Sequence, residues 1–266
     1  MCQFITLFHA RIGTFPLCAG IGLFCIAAIV YLQLSFRKVD LDTENKIMIG
    51  VPFSVLFGFL AAYSSDVLFR GGLKAFLSPF GYGVTFYGWL SGGVFFLILY
   101  SKMVRIDLMF LLNCFLPTYS IAQAFGRIGC FLGGCCFGRP AKFGVIYPHG
   151  SLPYQTFGAT PLFPVQLLES LYLFILFAVL FAFIKFRKRA AFYLILMPAG
   201  RFVFEFFRGD NRGSLFHQNC LSPAQICSLF FLGTGFCLLV KSRKENHPAD
   251  NTEKTGSQSP TTAHHE

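Results

Sequence analysis

Charge is what this sequence has least of. Asp, Glu, Lys and Arg together make up 13% of its 266 residues, about half the share of an ordinary soluble domain. With 55% hydrophobic residues, 36 phenylalanines and a mean hydropathy of +0.60, a soluble globular chain is excluded. Acidic residues are the scarcer sign, 12 against 22 basic ones. No basic stripe accompanies a soluble domain, so nucleic acid is not an expected partner. The excess of Lys and Arg is instead what cytoplasmic loops of a membrane protein carry. A cleavable leader is also missing from the expectation. The apolar run from Pro16 continues past twenty residues and ends in Arg37-Lys38, which fits a retained first helix. No apolar segment precedes Cys2, so that cysteine is not expected to be a lipoprotein cleavage site.

What is there is a succession of apolar segments near the ~20 residues that cross a bilayer. The sequence predicts an all-α fold: a polytopic seven-helix transmembrane bundle with a glycine-rich extracytoplasmic loop region. The spans are expected at about 16–36, 47–63, 84–100, 106–125, 163–185, 190–207 and 222–240, within one membrane domain, 1–240. The fourth holds Pro117, a kink that neighbouring helices can satisfy. A polar loop, 64–83, separates the second span from the third, and a charged tail, 241–266, is expected to be disordered and cytoplasmic. Seven spans put the termini on opposite sides. With the N-terminus outside, thirteen of the 22 Lys and Arg fall on the inner side, clustered at span ends.

The stretch Gly126-Arg127-Ile128-Gly129-Cys130-Phe131-Leu132-Gly133-Gly134-Cys135-Cys136-Phe137-Gly138-Arg139-Pro140 stands out between apolar segments. Its glycines allow close backbone approach, and an arginine beside such backbone suits a bidentate grip on phosphate. It is read as a site loop, extended as ordered external structure to Leu162. Arg201, Glu205 and Arg208 stand at i, i+4 and i+7, on one face of the sixth helix. Read blandly they are a helix-end ion pair with Arg208 reaching the interface. The topology nevertheless brings Arg127, Arg139, Arg201 and Arg208 to one membrane face, where like charges repel unless anions join them. A phospholipid headgroup is the anion at hand. Gln166 and Glu169 share a face of the fifth helix and alone read as a polar helix-start contact. Tyr87 alone reads as an interface-belt aromatic. Cys130, Cys135 and Cys136 lack the fourth ligand of a zinc site, so no metal is expected. A disulfide from Cys130 to Cys135 or Cys136 and simple packing both remain open.

Taken together, Gly126-Arg127-Ile128-Gly129 with Gly138-Arg139-Pro140 resembles the signature of the bacterial prolipoprotein diacylglyceryl transferases. So do Pro164-x-Gln166-Leu167-x-Glu169, Gly200-Arg201-Phe202-x-x-Glu205-Phe206-Phe207-Arg208 and Leu221-Ser222-x-x-Gln225. Each piece is weak alone; their order over residues 16–240 is specific. The resemblance implies a seven-helix enzyme of the bacterial inner membrane with its N-terminus outside. Such an enzyme moves diacylglyceryl from phosphatidylglycerol to the lipobox cysteine thiol of prolipoproteins and needs no cofactor. It further implies that Arg127 and Arg201, with Tyr87, carry catalysis. Arg139, Arg208, Gly129 and Gly138 would join those arginines around the headgroup, with Glu205, Glu169 and Gln166 in support.

The chain departs from that pattern in the half that activates the thiol. Tyr87 stands where the family has histidine, Cys130 where it has asparagine, Cys135 where it has an acid, and Ala19-Gly20 where it has a tyrosine-glycine pair. Two readings follow: a transferase in which Tyr87 replaces the histidine, or a divergent relative that binds anionic phospholipid without catalysis or uses another acceptor. A lipid carrier would favour two related halves, and no repeat is apparent.

Overall fold

The computed structural model describes residues 4–7, 10–70, 85–210 and 221–244. A short antiparallel pair, β1 (Phe4–Leu7) and β2 (Ala10–Gly13), leads into α1 (Thr14–Phe36). Then come α2 (Leu41–Arg70), α3 (Phe86–Val104) and α4 (Leu108–Gly133). After α4 the chain forms β3 (Pro140–Val145) and the one-turn α5 (Leu152–Phe157), before α6 (Val165–Ala182), α7 (Arg189–Glu205) and α8 (Pro223–Lys244).

Local chemistry sets these ends. Arg105, in the left-handed conformation at φ 56°, closes α3. Two residues on, the Asp107 carboxylate accepts the Phe110 N–H at 2.8 Å and opens α4. Gly134, at φ 73°, closes α4 where a side chain would be strained.

α4 is the central helix. It packs along α1 and α6 and touches α7, while α2 pairs with α3 and α7 with α8. Its backbone near Pro117 is served by neighbours, as the sequence suggests: Gln33 of α1 donates to the Cys114 carbonyl at 3.2 Å. The Asn113 side chain likewise accepts the Ala190 N–H at the start of α7. The core runs along this axis through Ile26, Val30, Leu97, Phe115, Tyr119, Leu173 and Tyr193. Outward, Phe24, Phe95, Phe183 and Phe230 are exposed. Among the described residues six helices (α1, α2, α3, α4, α6 and α8) are long and apolar enough to cross a bilayer. The chain is a multi-pass membrane protein.

The seven-span expectation is met only in part. The segment expected at 190–207 is helical, but α7 has 17 residues, Pro198 inside it and two buried charges, and is not among the six. Its rise of about 25 Å falls short of a hydrocarbon core of about 30 Å.

Two expected loops are helix instead. The glycine-rich stretch continues α4 as far as Gly133. Glycine costs about 1 kcal/mol against alanine in an exposed helix, but here the missing side chain lets α1 lie close. A Cβ on Gly129 would stand 3.1 Å from the Cys18 Cβ and 3.2 Å from the Phe15 Cα. Likewise 64–70 belongs to α2, where Ser65 and Asp66 turn inward toward α3 rather than to solvent. The rest of that expected loop, 71–83, and the tail beyond Lys244 lie outside the described residues, while Lys241–Lys244 are still helical.

The segment from Gly134 to Leu162 is the ordered structure expected. Phe137, Tyr147 and Leu162 form a small core of their own. Main-chain bonds pin the segment to the neighbouring helix ends. Arg139 N–H reaches the Phe207 carbonyl at 3.0 Å, Gly209 N–H the Phe137 carbonyl at 3.0 Å, and Phe163 N–H the Arg139 carbonyl at 2.9 Å.

Candidate active site

Three helices converge where this segment meets the bundle, and each brings a charge. Arg127 comes from the last two turns of α4, Glu169 from the second turn of α6, and Arg201 with Glu205 from the last two turns of α7. Arg127 Nη2 lies 2.9 Å from Glu169 Oε1, and Arg201 Nη1 lies 3.4 Å from Oε2 of the same carboxylate. Arg201 Nη2 pairs with Glu205 at 2.8 Å, and Arg208 continues the chain to Glu205 at 4.0 Å. Asp210 closes it, accepting from Arg208 Nε at 2.9 Å and Nη2 at 2.7 Å. Arg127, Glu169, Arg201, Glu205 and Arg208 are all buried.

Three arginines therefore meet three carboxylates. Contrary to expectation, these clustered arginines need no external anion, because Glu169, Glu205 and Asp210 balance them from within. Asp210 was missed in the sequence, although it stands two residues after Arg208. Such a buried network contributes little net stability, since desolvation of each ion offsets its attraction. What it does provide is guanidinium groups held in fixed positions.

Two cavities flank the network. The first, about 270 Å³, is lined by Phe15, Leu23, Phe59, Phe86 and Trp89, with Arg127, Cys130 and Cys136 in its wall. The second, about 310 Å³, is lined by Ser65, Asp66, Tyr87, Ser91, Arg201 and Cys227. Thr85 and Phe86 belong to both walls. Glu169 thus links an arginine of the first cavity to an arginine of the second.

Tyr87 is not an interface-belt residue. It is 8% exposed, stacks on Phe231 at 5.4 Å and shares a 2.6 Å hydrogen bond with the Ser228 hydroxyl of α8. Nor does Arg139 join the ion network. Its side chain is exposed and its Nε donates to the Arg208 carbonyl at 3.0 Å. A Cβ on Gly138 would fall 2.2 Å from the Phe163 carbonyl oxygen, so this position serves backbone approach. Gln166, fully buried, donates to the Cys135 carbonyl at 2.9 Å and to the Tyr147 hydroxyl at 3.0 Å. It ties α6 to the loop.

The sulfurs of Cys130, Cys135 and Cys136 lie within 4.8 Å of one another, and no disulfide joins them. A hydrogen bond from Cys130 favours the Cys135 thiolate, but the bond with Cys136 and burial outweigh it and push the Cys135 thiol up to about 12. Eight of the residues that the sequence singles out thus form two groups, an ion network of five and a thiol cluster of three, with Arg127 beside both.

The family model of the prolipoprotein diacylglyceryl transferases matches residues 3–241. A phosphatidylglycerol–prolipoprotein diacylglyceryl transferase of Clostridium tetani is 32% identical, over 82% of this chain and 88% of its own. A second, from Clostridium perfringens, is 29% identical over 90% of this chain and 96% of its own. One from Dehalococcoides mccartyi is 31% identical over 76% and 75%.

Proposed function

Because the chain belongs to the prolipoprotein diacylglyceryl transferase family, we propose that it transfers the diacylglyceryl group of phosphatidylglycerol to the lipobox cysteine thiol of prolipoproteins, with the arginines joined by Glu169 as its catalytic centre. The observation that carries this reading is the Arg127–Glu169–Arg201 bridge between the two cavities. The protein sits in the bacterial inner membrane with its N-terminus outside, and α7 completes the set as a short seventh span.

In this reading an acyl chain lies along Phe15, Leu23, Phe59 and Trp89, and the headgroup phosphate meets Arg127 at the end of that wall. The acceptor enters the second cavity. Its sulfur attacks the glycerol carbon that carries the phosphate ester, the carbon–oxygen bond breaks, and the electron pair leaves with glycerol phosphate. Charge on the phosphate rises from one to about two as the bond opens. Fixed guanidinium groups in a buried site stabilise that rise without having to reorganise. A thiol with a pKa of about 8.5 needs little help to ionise. Its proton leaves through the Tyr87–Ser228 hydroxyl pair to water.

The test is direct. Purified protein in phosphatidylglycerol vesicles is incubated with a lipobox peptide, and the peptide is weighed by mass spectrometry. A mass gain of one diacylglyceryl group on the cysteine, absent with Arg201→Ala, is the expected result. Unmodified peptide, with a relative working alongside, would sink the proposal.

A further inference from the structure

The three cysteines have no part in the transfer just described, yet the fold gathers them with care. Cys130 is on the last turn of α4, and Cys135 and Cys136 follow the helix cap. The Cys135 N–H returns to the Cys130 carbonyl at 3.0 Å, and its thiol points at the same oxygen at 3.7 Å. Cys136 takes the left-handed conformation at φ 58°, which a non-glycine residue adopts only at some cost. The result is a triangle of sulfurs all within 4.8 Å of one another, one corner buried and two half-buried. Cys130 and Cys136 also open onto the apolar cavity, which gives the triangle an entry path.

A metal with thiolate bonds of about 2.3 Å, sitting at the centre of a triangle, holds its sulfurs about 4 Å apart. The observed sulfurs, within 4.8 Å of one another, stand close to that spacing. Among the described residues three soft ligands stand together without a fourth, which disfavours the closed tetrahedral zinc site and favours copper(I). Three thiolates around one copper(I) carry two net negative charges, and two arginines of the ion network lie beside them. Arg127 lies close enough to interact with Cys130 and Cys136, and Arg208 with Cys136. Among the described residues Arg208 Nη1, a buried donor, has no hydrogen-bond partner.

We propose that Cys130, Cys135 and Cys136 form a trigonal thiolate site for a soft monovalent cation, copper(I), set in the wall of the apolar cavity. Binding exchanges three S–H protons for one copper ion, with no change of oxidation state at sulfur or metal. The site does not depend on the transferase reading.

The experiment uses the full-length protein in detergent, kept anaerobic and reduced, and titrated with copper(I) against a coloured copper(I) chelator. One equivalent is expected to bind, with release of about three protons in weak buffer and three sulfur neighbours by X-ray absorption. Cys130→Ser, Cys135→Ser and Cys136→Ser are each expected to weaken binding at least 100-fold. Cys25→Ser and Cys237→Ser, which lie elsewhere on the chain, leave it unchanged. Gel filtration of each variant separates lost binding from lost folding. Copper(I) no tighter on the native chain than on the triple variant would overturn the proposal. So would a two-sulfur site, or zinc(II) bound by the same thiols in preference to copper(I).

Discussion

Arg127 and Arg201 come from different helices, 74 positions apart in the sequence, and hold opposite oxygens of one carboxylate, Glu169, at 2.9 and 3.4 Å. That carboxylate fixes the separation of the two guanidinium groups and so the span over which an anion is shared between them. Glu169 is 2% exposed, and its removal leaves two buried cations facing each other. Glu169→Ala is expected to destabilise the protein by about 3–5 kcal/mol, the usual cost of breaking a buried pair from one side. Denaturation in mixed micelles, followed by helical signal, measures it. Glu169→Gln keeps the volume and one acceptor, and is expected to fold while losing most activity.

Lysine in place of either arginine tests what the guanidinium shape contributes. A lysine keeps the charge but cannot hold Glu169 with one nitrogen and present a second to phosphate in the same plane. Arg127→Lys and Arg201→Lys are therefore expected to lower turnover about 10²–10³-fold, the size of losing one fixed donor from a charge-stabilising site. Single-turnover kinetics in phosphatidylglycerol vesicles would show it. Native turnover in either lysine variant would mean that charge alone suffices.

Much of this centre was legible in the sequence because helix periodicity is. The i, i+4, i+7 spacing of Arg201, Glu205 and Arg208 placed them on one face, and they do form one chain of contacts. What periodicity does not encode is contact between helices, so the pairing of Glu169 with both Arg127 and Arg201 was out of reach. Glycine misled in another way. Its low helix propensity made Gly126–Gly133 read as loop, whereas close approach of α1 at Gly129 makes small residues an asset within the bundle. The length of α2 was hidden similarly, because Ser65 and Asp66 are polar yet face α3.

Tyr87 separates catalysis from binding. Tyr87 lines the second cavity and not the first, and its hydroxyl is bonded to Ser228. Tyr87→Phe keeps the ring stacked on Phe231 and removes only the oxygen. Phosphatidylglycerol binding is expected to stay within twofold while product formation falls at least tenfold, as befits a group that moves a proton. A parallel loss of both, measured by equilibrium lipid binding beside the peptide assay, would assign the hydroxyl to architecture instead.

The Cys135 thiol gives a pH prediction. Its pKa is pushed up to about 12 by the bond with Cys136 and by burial, despite the opposing bond from Cys130. A thiol raised in this way stays protonated at pH 8, where an ordinary cysteine of pKa about 8.5 is already partly thiolate. Alkylation of Cys135 by iodoacetamide is therefore expected to run at least 100-fold slower than that of a free thiol at pH 8, and to accelerate steadily toward pH 11. Peptide mapping after timed quenching reads the rate at this residue alone. A plateau near pH 9 would show that the thiol triangle opens in solution.

Gly138 and Arg139 are neighbours in the sequence signature, but the geometry assigns them unequal weight. Arg139 is exposed and contributes one bond from Nε to the Arg208 carbonyl, worth about 1 kcal/mol. Arg139→Ala is expected to cost no more than that, with turnover within about threefold. Gly138 lies against Phe163, where a Cβ would be 2.2 Å from the carbonyl oxygen. That oxygen is main chain and cannot rotate aside. Gly138→Ala must therefore part the loop from α6 and strain the Phe137 to Gly209 and Arg139 to Phe207 bonds that set the position of Arg208. A loss of about 1–3 kcal/mol follows from overpacking of this kind, together with faster proteolysis in the 134–162 segment. A mild alanine at 138 and a severe one at 139 would reverse the assignment, placing the Arg139 side chain at the headgroup and making the glycine dispensable.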